Sequence, residues 1–380
     1  ATFTHIGNNA LKRVTTVASN TSVAVAETLT AEASPPTDSS LVVVGFQFGT
    51  ADATIDVAGT LPALKATTKD LTQLGLTVGE WVYIGGDAAG TSFANAVNNG
   101  WKRVYSIAAG KIEFDKSVST MLADTGTGKT IRIFTGRKLQ NEVGANIVRR
   151  TYQLELSLGA PDTAQPSQIQ AVYMPGGIPN QWSLSIGTAT KITTDISFLC
   201  QDAVTRDGVT GLKSGTRPVL EDADAFNTSS DFKRIKMGLV STSNAAVSPF
   251  FAYITDLSLS VSNNLKPAKA AGVLGSFDIS AGTFAVSGSL TAYFTDITAI
   301  NAIRANADIT LDAIVVKNNA GFVIDIPLLS LGGGNLDIKL DEAVKLPLTM
   351  DAATAAKINP SLDYSMALMF YDYLPDVAEV

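Results

Sequence analysis

Ile254-Thr255-Asp256-Leu257-Ser258-Leu259-Ser260-Val261 alternates apolar and polar residues along its second half without a break. A period of two puts Leu257, Leu259 and Val261 on one side of an extended strand and Ser258 and Ser260 on the other. The same pattern stands 75 residues earlier as Trp182-Ser183-Leu184-Ser185-Ile186. A neighbouring stretch repeats as well: Ile192-Thr193-Thr194-Asp195-Ile196-Ser197 matches Val286-Ser287-Gly288-Ser289-Leu290-Thr291 at an offset of 94. The chain therefore carries a weak internal duplication of a strand pair, with a connection longer by 94 − 75 = 19 residues in the second copy.

One face of these strands holds Trp182, Leu184, Ile186, Ile192, Ile196 and Phe198, echoed by Leu257, Leu259, Val261, Val286, Leu290 and Phe294. The other holds Ser183, Ser185, Thr193, Asp195 and Ser197, echoed by Ser258, Ser260, Ser287, Ser289 and Thr291. Such strands bury one side and wet the other. The wet side consists of small hydroxyls with one carboxylate, whereas an ordinary solvated face carries more Lys and Glu. It reads either as the lining of a wide, water-filled β-barrel or as a plain outer face; the small polar groups favour the lining.

Helical periodicity is scarce elsewhere, and period-two alternation recurs, so the fold class is mostly β. The exception is 296–306, where Asp296 offers an N-cap and Ile297, Ile300 and Ile303 share a flank of a short helix, expected to plug one end of a β-sandwich. Residues 50–138 read as a separate unit, with a turn and alternating strand over 78–86, a hairpin of 101–107 and 111–114 around Ala109-Gly110, and a further strand over 129–135. Short strands with glycine punctuation at this spacing predict a small closed β-barrel. The apolar run 41–46 is strand-sized, and 336–340 reads as a strand after a glycine-rich turn at 331–335. Four stretches, 19–40, 159–176, 203–231 and 262–282, read as long loops. Loops beyond about 12–15 residues are uncommon in compact domains, so these are expected to order against neighbouring subunits.

The 380 residues, as a prior, make two or three domains. Only 17% are charged and the net charge is −7, which argues against a general nucleic-acid coat, whose footprint is basic. The single cysteine, Cys200, excludes an internal disulfide, a cysteine zinc site and an iron–sulfur cluster, and reads as a buried small hydrophobe. The single histidine, His5, gives no basis for a histidine-rich metal site or a triad. Ala123-Asp124-Thr125-Gly126-Thr127-Gly128-Lys129-Thr130 fits a loose phosphate-loop pattern. It runs on into an alternating strand instead of opening a helix, and so reads as a turn. Glu221-Asp222-Ala223-Asp224 lacks the glycine and closing glutamate of a calcium loop. Arg149-Arg150 and Lys233-Arg234-Ile235-Lys236 are short basic spots, expected to meet acidic surfaces on an adjacent subunit. No cofactor, metal or catalytic centre is expected. Residues 1–14 lack the apolar segment of a secretory signal and no run approaches 18 apolar residues, so cytoplasmic synthesis without membrane insertion is expected.

Three segments resemble the tail tube proteins of long-tailed, non-contractile bacteriophages. They are Ile254-Thr255-Asp256-Leu257-Ser258-Leu259-Ser260-Val261-Ser262-Asn263-Asn264-Leu265-Lys266-Pro267, Ser287-Gly288-Ser289-Leu290-Thr291-Ala292-Tyr293-Phe294 and Gly177-Ile178-Pro179-Asn180-Gln181-Trp182-Ser183-Leu184-Ser185. The resemblance covers about 140–380 and extends to 1–49, leaving 50–138 as an insertion. It implies two tail-tube-type β-sandwich/barrel domains, the first from 1–49 and 139–230 and the second from 231–380, with 50–138 as an outer decoration.

The resemblance also implies a structural virion protein of the tail, not an enzyme, made in the bacterial host cytoplasm. Its rings stack helically into a tube that conducts genomic DNA without binding it specifically, beside other tail proteins such as the tape measure and the tail terminator. Two tube domains per chain imply a trimeric, pseudo-sixfold ring, and one implies a hexamer; the duplication favours three chains. The acidic balance suits a conduit in which phosphates must slide. On this reading Ser183, Ser185, Thr193, Asp195, Ser197, Ser258, Ser260, Ser287, Ser289 and Thr291 line the lumen, with Asp195 as a repelling charge. The rival is a β-rich virion adhesin or carbohydrate-binding protein, with Trp81, Trp101 and Tyr105 as its aromatic platform. An outer-membrane barrel lacks its aromatic girdles here.

Overall fold

The computed structural model describes residues 3–9, 11–34, 41–115, 120–160, 167–219, 224–240, 249–251, 253–295 and 297–379. The chain is mostly β, as its alternation predicts. An N-terminal hairpin, β1 (Val14–Ser19) and β2 (Ser22–Val25), is exposed along almost its whole length. The apolar run 41–44 forms no strand; pairing starts at β3 (Gly45–Gln47).

β3 joins β4 (Ala53–Asp56), β5 (Ala63–Ala66), β6 (Trp81–Ile84), β7 (Gly100–Ala108), β8 (Lys111–Phe114) and β9 (Arg132–Thr135) in a sheet of order β3-β9-β6-β7-β8-β5-β4. The closed barrel expected over 50–138 is not formed. The terminal strands β3 and β4 do not pair with each other, and on its outer edge β4 makes a single bridge, from Ile55 to Asp124. The register of β7 slips between Val104 and Ser106, where a bulge bends the sheet. Phe48, Leu64, Val82, Ile84, Val104 and Ile133 form this unit's own core. β6 is buried on both sides, so Trp81 and Tyr83 face the rest of the chain.

The rest of the chain supplies β10 (Arg137–Gln140), β11 (Tyr152–Gly159), β12 (Gln170–Gly187), β13 (Thr193–Leu199), β14 (Val204–Arg206), β15 (Phe232–Leu239) and β16 (Ile254–Ser262). A two-stranded hairpin of β17 (Lys266–Ala268) and β18 (Asp278–Ser280) follows, then β19 (Ala285–Tyr293) and helix α1 (Thr298–Arg304). β20 (Ile309–Lys317), β21 (Ala320–Gly333), β22 (Lys345–Ala352) and β23 (Ala367–Tyr371) complete the chain. All but β17 and β18 join one twelve-stranded sheet.

The long strand β21 folds that sheet into two layers. Its first half pairs with β20 and β23, and residues 329–333 pair with β22. The first layer runs β13-β12-β16-β19-β22-β21 and the second β15-β20-β21-β23-β10. Leu184, Leu257, Leu259, Leu290, Leu348 and Met350 from the first layer share one core with Met237, Leu311, Ala313, Ile324 and Ile326 from the second. Helix α1 packs on this core through Ala299 and Ala302, with Ile300 and Ile303 half-buried beside them. Ile297, expected on that flank, precedes the helix and is 62% exposed, and Asp296 lies outside the described residues.

The second layer is buried on its back as well, because the 45–135 unit covers it. Ile314, Val316, Val323 and Met369 pack with Trp81, Tyr83, Trp101 and Phe134. Trp101 meets Tyr371 edge-on at 5.0 Å, and the Tyr371 hydroxyl donates to the Trp81 carbonyl at 2.5 Å. Arg103 from β7 donates to Asp115 at 2.6 Å and to Asp325 of β21 at 2.8 Å.

Each of the four presumed loops contains strand residues. β2 falls in 19–40, the start of β12 in 159–176, β14 in 203–231, and the β17–β18 hairpin in 262–282. Conversely, 336–340 is not a strand; only Asp337 bridges, to Lys345, and Leu331-Gly332-Gly333 belongs to β21.

Candidate functional site

Alternation along β12, β13, β16, β19 and β22 gives the first layer two unlike faces. The apolar residues of β12, β16, β19 and β22 enter the core, and the opposite face is open; Ile196 of the border strand β13, expected on the buried side, is instead 55% exposed. Register decides how the polar residues combine. One row runs Asp195, Ser183, Ser260, Ser287, Asp351, Ser330 across six neighbouring strands. The next runs Thr193, Ser185, Ser258, Ser289, Thr349, Gly332. Ser197, Gln181, Ser262 and Ala285 lie on one side of this pair of rows, and Gly187, Asp256, Thr291 and Pro347 on the other.

All ten sequence-derived positions thus share one face. Ser185, Thr193, Asp195, Ser197, Ser258, Ser287 and Ser289 are exposed, and Ser183, Ser260 and Thr291 are half-buried. The four rows carry three carboxylates, Asp195, Asp256 and Asp351, and no lysine or arginine. Lys345, opposite Tyr293, stands just beyond them. Hydroxyls at strand spacing of about 4.8 Å give a surface with many weak, interchangeable hydrogen-bonding sites and no fixed cation.

Asp256, Asp351, Thr349, Ser330 and Gln181 were not among the ten. The signal for β22 was present, since Leu346, Leu348 and Met350 alternate with Pro347, Thr349 and Asp351.

The duplication acquires a geometric meaning. Leu184 pairs with Leu259, its own equivalent in the second copy. The outer partners repeat the register: Trp182 with Ile196 and Leu184 with Thr194 in the first copy, Leu257 with Leu290 and Leu259 with Gly288 in the second. The two hairpins are therefore related by a local two-fold axis through the Leu184–Leu259 pair, normal to the sheet.

The remaining sequence motifs resolve as structure. Residues 123–130 turn through Gly126 and Gly128, both at positive φ, and open no helix. Trp81 and Trp101 are buried against the second layer, which removes the aromatic platform; the open cleft on the 45–135 unit, lined by Thr54, Asp56, Asn95 and Asp124 among others, carries no aromatic ring. Lys233-Arg234-Ile235-Lys236, expected to meet an adjacent subunit, finds partners within its own chain. Arg234 pairs with Asp312 at 2.6 Å, Lys236 is buried, and Lys233 donates to the Ser230 carbonyl. Cys200 is half-buried rather than buried, and burial pushes its thiol up. His5 is exposed, with its backbone N–H donating to Glu32. Glu221, Asp222 and Ala223 lie outside the described residues. Among the described residues no three His, Cys, Asp or Glu side chains are grouped to hold a metal ion, and no helix is long and apolar enough to cross a membrane.

Among the described residues the fold is a two-layer β-sandwich with one short α-helix and one broad face rich in hydroxyls. The phage tail tube protein family matches residues 70–352, more than half of the chain, and the chain belongs to that family. It is a structural component of the phage tail. The match begins inside the 45–135 sheet, so most of that unit lies within the family's span and not outside it. Comparison with curated proteins gave no match.

Proposed function

We propose that the hydroxyl face of the first layer lines the bore of a tail tube through which the genome passes. The observation that carries this reading is the unbroken run of small hydroxyls and carboxylates across six strands, with no cation among them. A DNA conduit needs wettable walls that release phosphates. Lysine or arginine there would bind the backbone through counterion release, and carboxylates repel it.

The strand order supports closure between copies. Among the described strands β13 pairs with β12 alone, its outer edge being met just before it starts by the Lys191–Asn227 bridge and the Ile192 N–H bond to the Phe226 carbonyl, and residues 330–333 of β21 pair with β22 alone. The six strands alternate in direction, so β21 of one chain and β13 of the next meet antiparallel, and a ring without sheet edges results. The 45–135 unit, on the far side of the second layer, then lies on the outside of the tube.

The two-fold relating the hairpins bears on stoichiometry. Rotation about a tube axis repeats strands in the same order, giving β13-β12 followed by β19-β16. The order here is β13-β12-β16-β19. The duplication lies within one sheet and one core, and so supports one tube unit per chain spanning roughly 137–371. We therefore favour a ring of six chains over the trimer and over a division at residue 230. Contacts with the tape measure and the tail terminator belong to the same proposal.

The test uses Ser258→Cys in a Cys200→Ser chain. A maleimide carried on a large polymer is expected to label the free chain quickly and the assembled tube hardly at all. Equal labelling of both would reject a lumenal position for this face.

A further inference from the structure

The first layer ends differently at its two strand ends, and both ends expose apolar side chains. At one end β21 and β22 are joined by residues 334–344. There Leu336, Ile338 and Leu340 are 38%, 70% and 91% exposed. The segment alternates like a strand yet, among the described residues, pairs with none apart from the Asp337 bridge to Lys345. At the opposite end, beyond the last residue of β16, the β17–β18 hairpin projects, and its turn exposes Val273, Leu274 and Phe277 at 48%, 89% and 59%.

These two apolar tips cannot meet within one chain, because the length of the sheet separates them. Their charges are complementary. The first tip carries Asp341 and Glu342, both exposed, while its Lys339 is paired with Asp337 at 3.5 Å. The hairpin carries exposed Lys266 and Lys269 against a single carboxylate, Asp278. A contact between unlike patches on opposite ends of one molecule is heterologous and generates an open, unlimited stack.

We infer that residues 334–344 of one copy dock on the β17–β18 hairpin of a copy in the next ring, setting Leu336, Ile338 and Leu340 against Val273, Leu274 and Phe277. This inference rests on the ring reading above and adds to it the surface that joins ring to ring. The 334–344 segment then gains the apolar cover that its alternation calls for, and Asp341 and Glu342 approach Lys266 and Lys269.

Two full-length variants test the contact by electron microscopy of negatively stained particles, with thermal unfolding as the folding control. Leu336→Ser/Ile338→Ser/Leu340→Ser is expected to keep the parent melting temperature, because the side chains are exposed, and to form rings that do not lengthen. The protein concentration needed for tubes should rise about a hundredfold or more. Lys266→Glu/Lys269→Glu should also stop at rings, and adding Asp341→Lys/Glu342→Lys to the same chain should restore tubes. Tubes as long as the parent's from the triple serine variant, or no restoration by the reversed pair, would overturn the inference while leaving the rings standing. A parent chain that forms neither rings nor tubes would remove the ring reading itself, and this inference with it.

Discussion

Arg103 places a guanidinium, only 6% exposed, between carboxylates from two parts of the chain: Asp115 beside β8 and Asp325 on β21. Burying charge is costly unless the partners are kept together, and removing one partner leaves the other stranded. Arg103→Met is therefore expected to cost about 3–5 kcal/mol, read as a lower urea midpoint; a loss under about 1 kcal/mol would contradict the bridge. Burial pushes Asp325 up to about 6 against the opposing pull of Arg103. An unfolded aspartate ionises near 3.9, so this group's contribution to stability is complete below about pH 4 and is lost as pH rises through 6. Asp325→Asn removes that loss. The stability difference between variant and parent should move in the variant's favour between pH 4 and 7, by on the order of 2 kcal/mol. A difference that is flat with pH would argue against a buried, proton-holding Asp325. None of this cluster was legible in the sequence. Lys233-Arg234-Ile235-Lys236 reads as a basic spot awaiting an adjacent subunit because Asp312, the partner of Arg234, is remote along the chain and becomes a neighbour when β15 pairs with β20.

The first-layer strands were legible because only one of their faces is buried, which forces the period of two. Ser258 and Leu259 declare opposite sides in any extended chain. β20 and β21 are buried on both faces, so Ile309–Lys317 shows little alternation and gives no hint of which side meets which core. The 336–340 segment alternates yet forms no strand beyond the Asp337–Lys345 bridge, since pattern reports what a segment is able to do and not where a partner lies. Trp81 and Trp101 were likewise visible as large aromatics, while the layer that buries them is built from residues two hundred positions later. At this scale Gly288 is informative. It sits on the core side of β19, where an added Cβ would come within 2.4 Å of the Ser258 carbonyl and 2.9 Å of the Met350 methyl. Gly288→Val should cost about 1–3 kcal/mol by overpacking and lower the melting temperature. Leu259→Ala, at the two-fold, should cost about 2–5 kcal/mol through the cavity it leaves. An unchanged melting temperature in either variant would mean that the first layer is not packed as described.

Across the whole molecule, two surfaces of opposite character divide the work. The second layer and the 45–135 sheet bury their aromatic and ionic groups against each other, which makes one body of the two units. The first layer keeps its hydroxyl face open, and on the proposed reading its borders are completed by neighbouring copies. If Asp195, Asp256 and Asp351 repel the genome, replacing all three by lysine should give tubes that retain linear DNA at low salt and release it as salt rises. Tubes that retain no more DNA than the parent's would show that these positions do not meet the genome. The most direct measurement is a helical reconstruction of assembled tubes by electron cryomicroscopy. The account predicts a central channel walled by the rows through Ser183, Ser258 and Ser287, with β13 of each chain against β21 of its neighbour. A particle without a channel, or one with these rows turned to the outside, would contradict it.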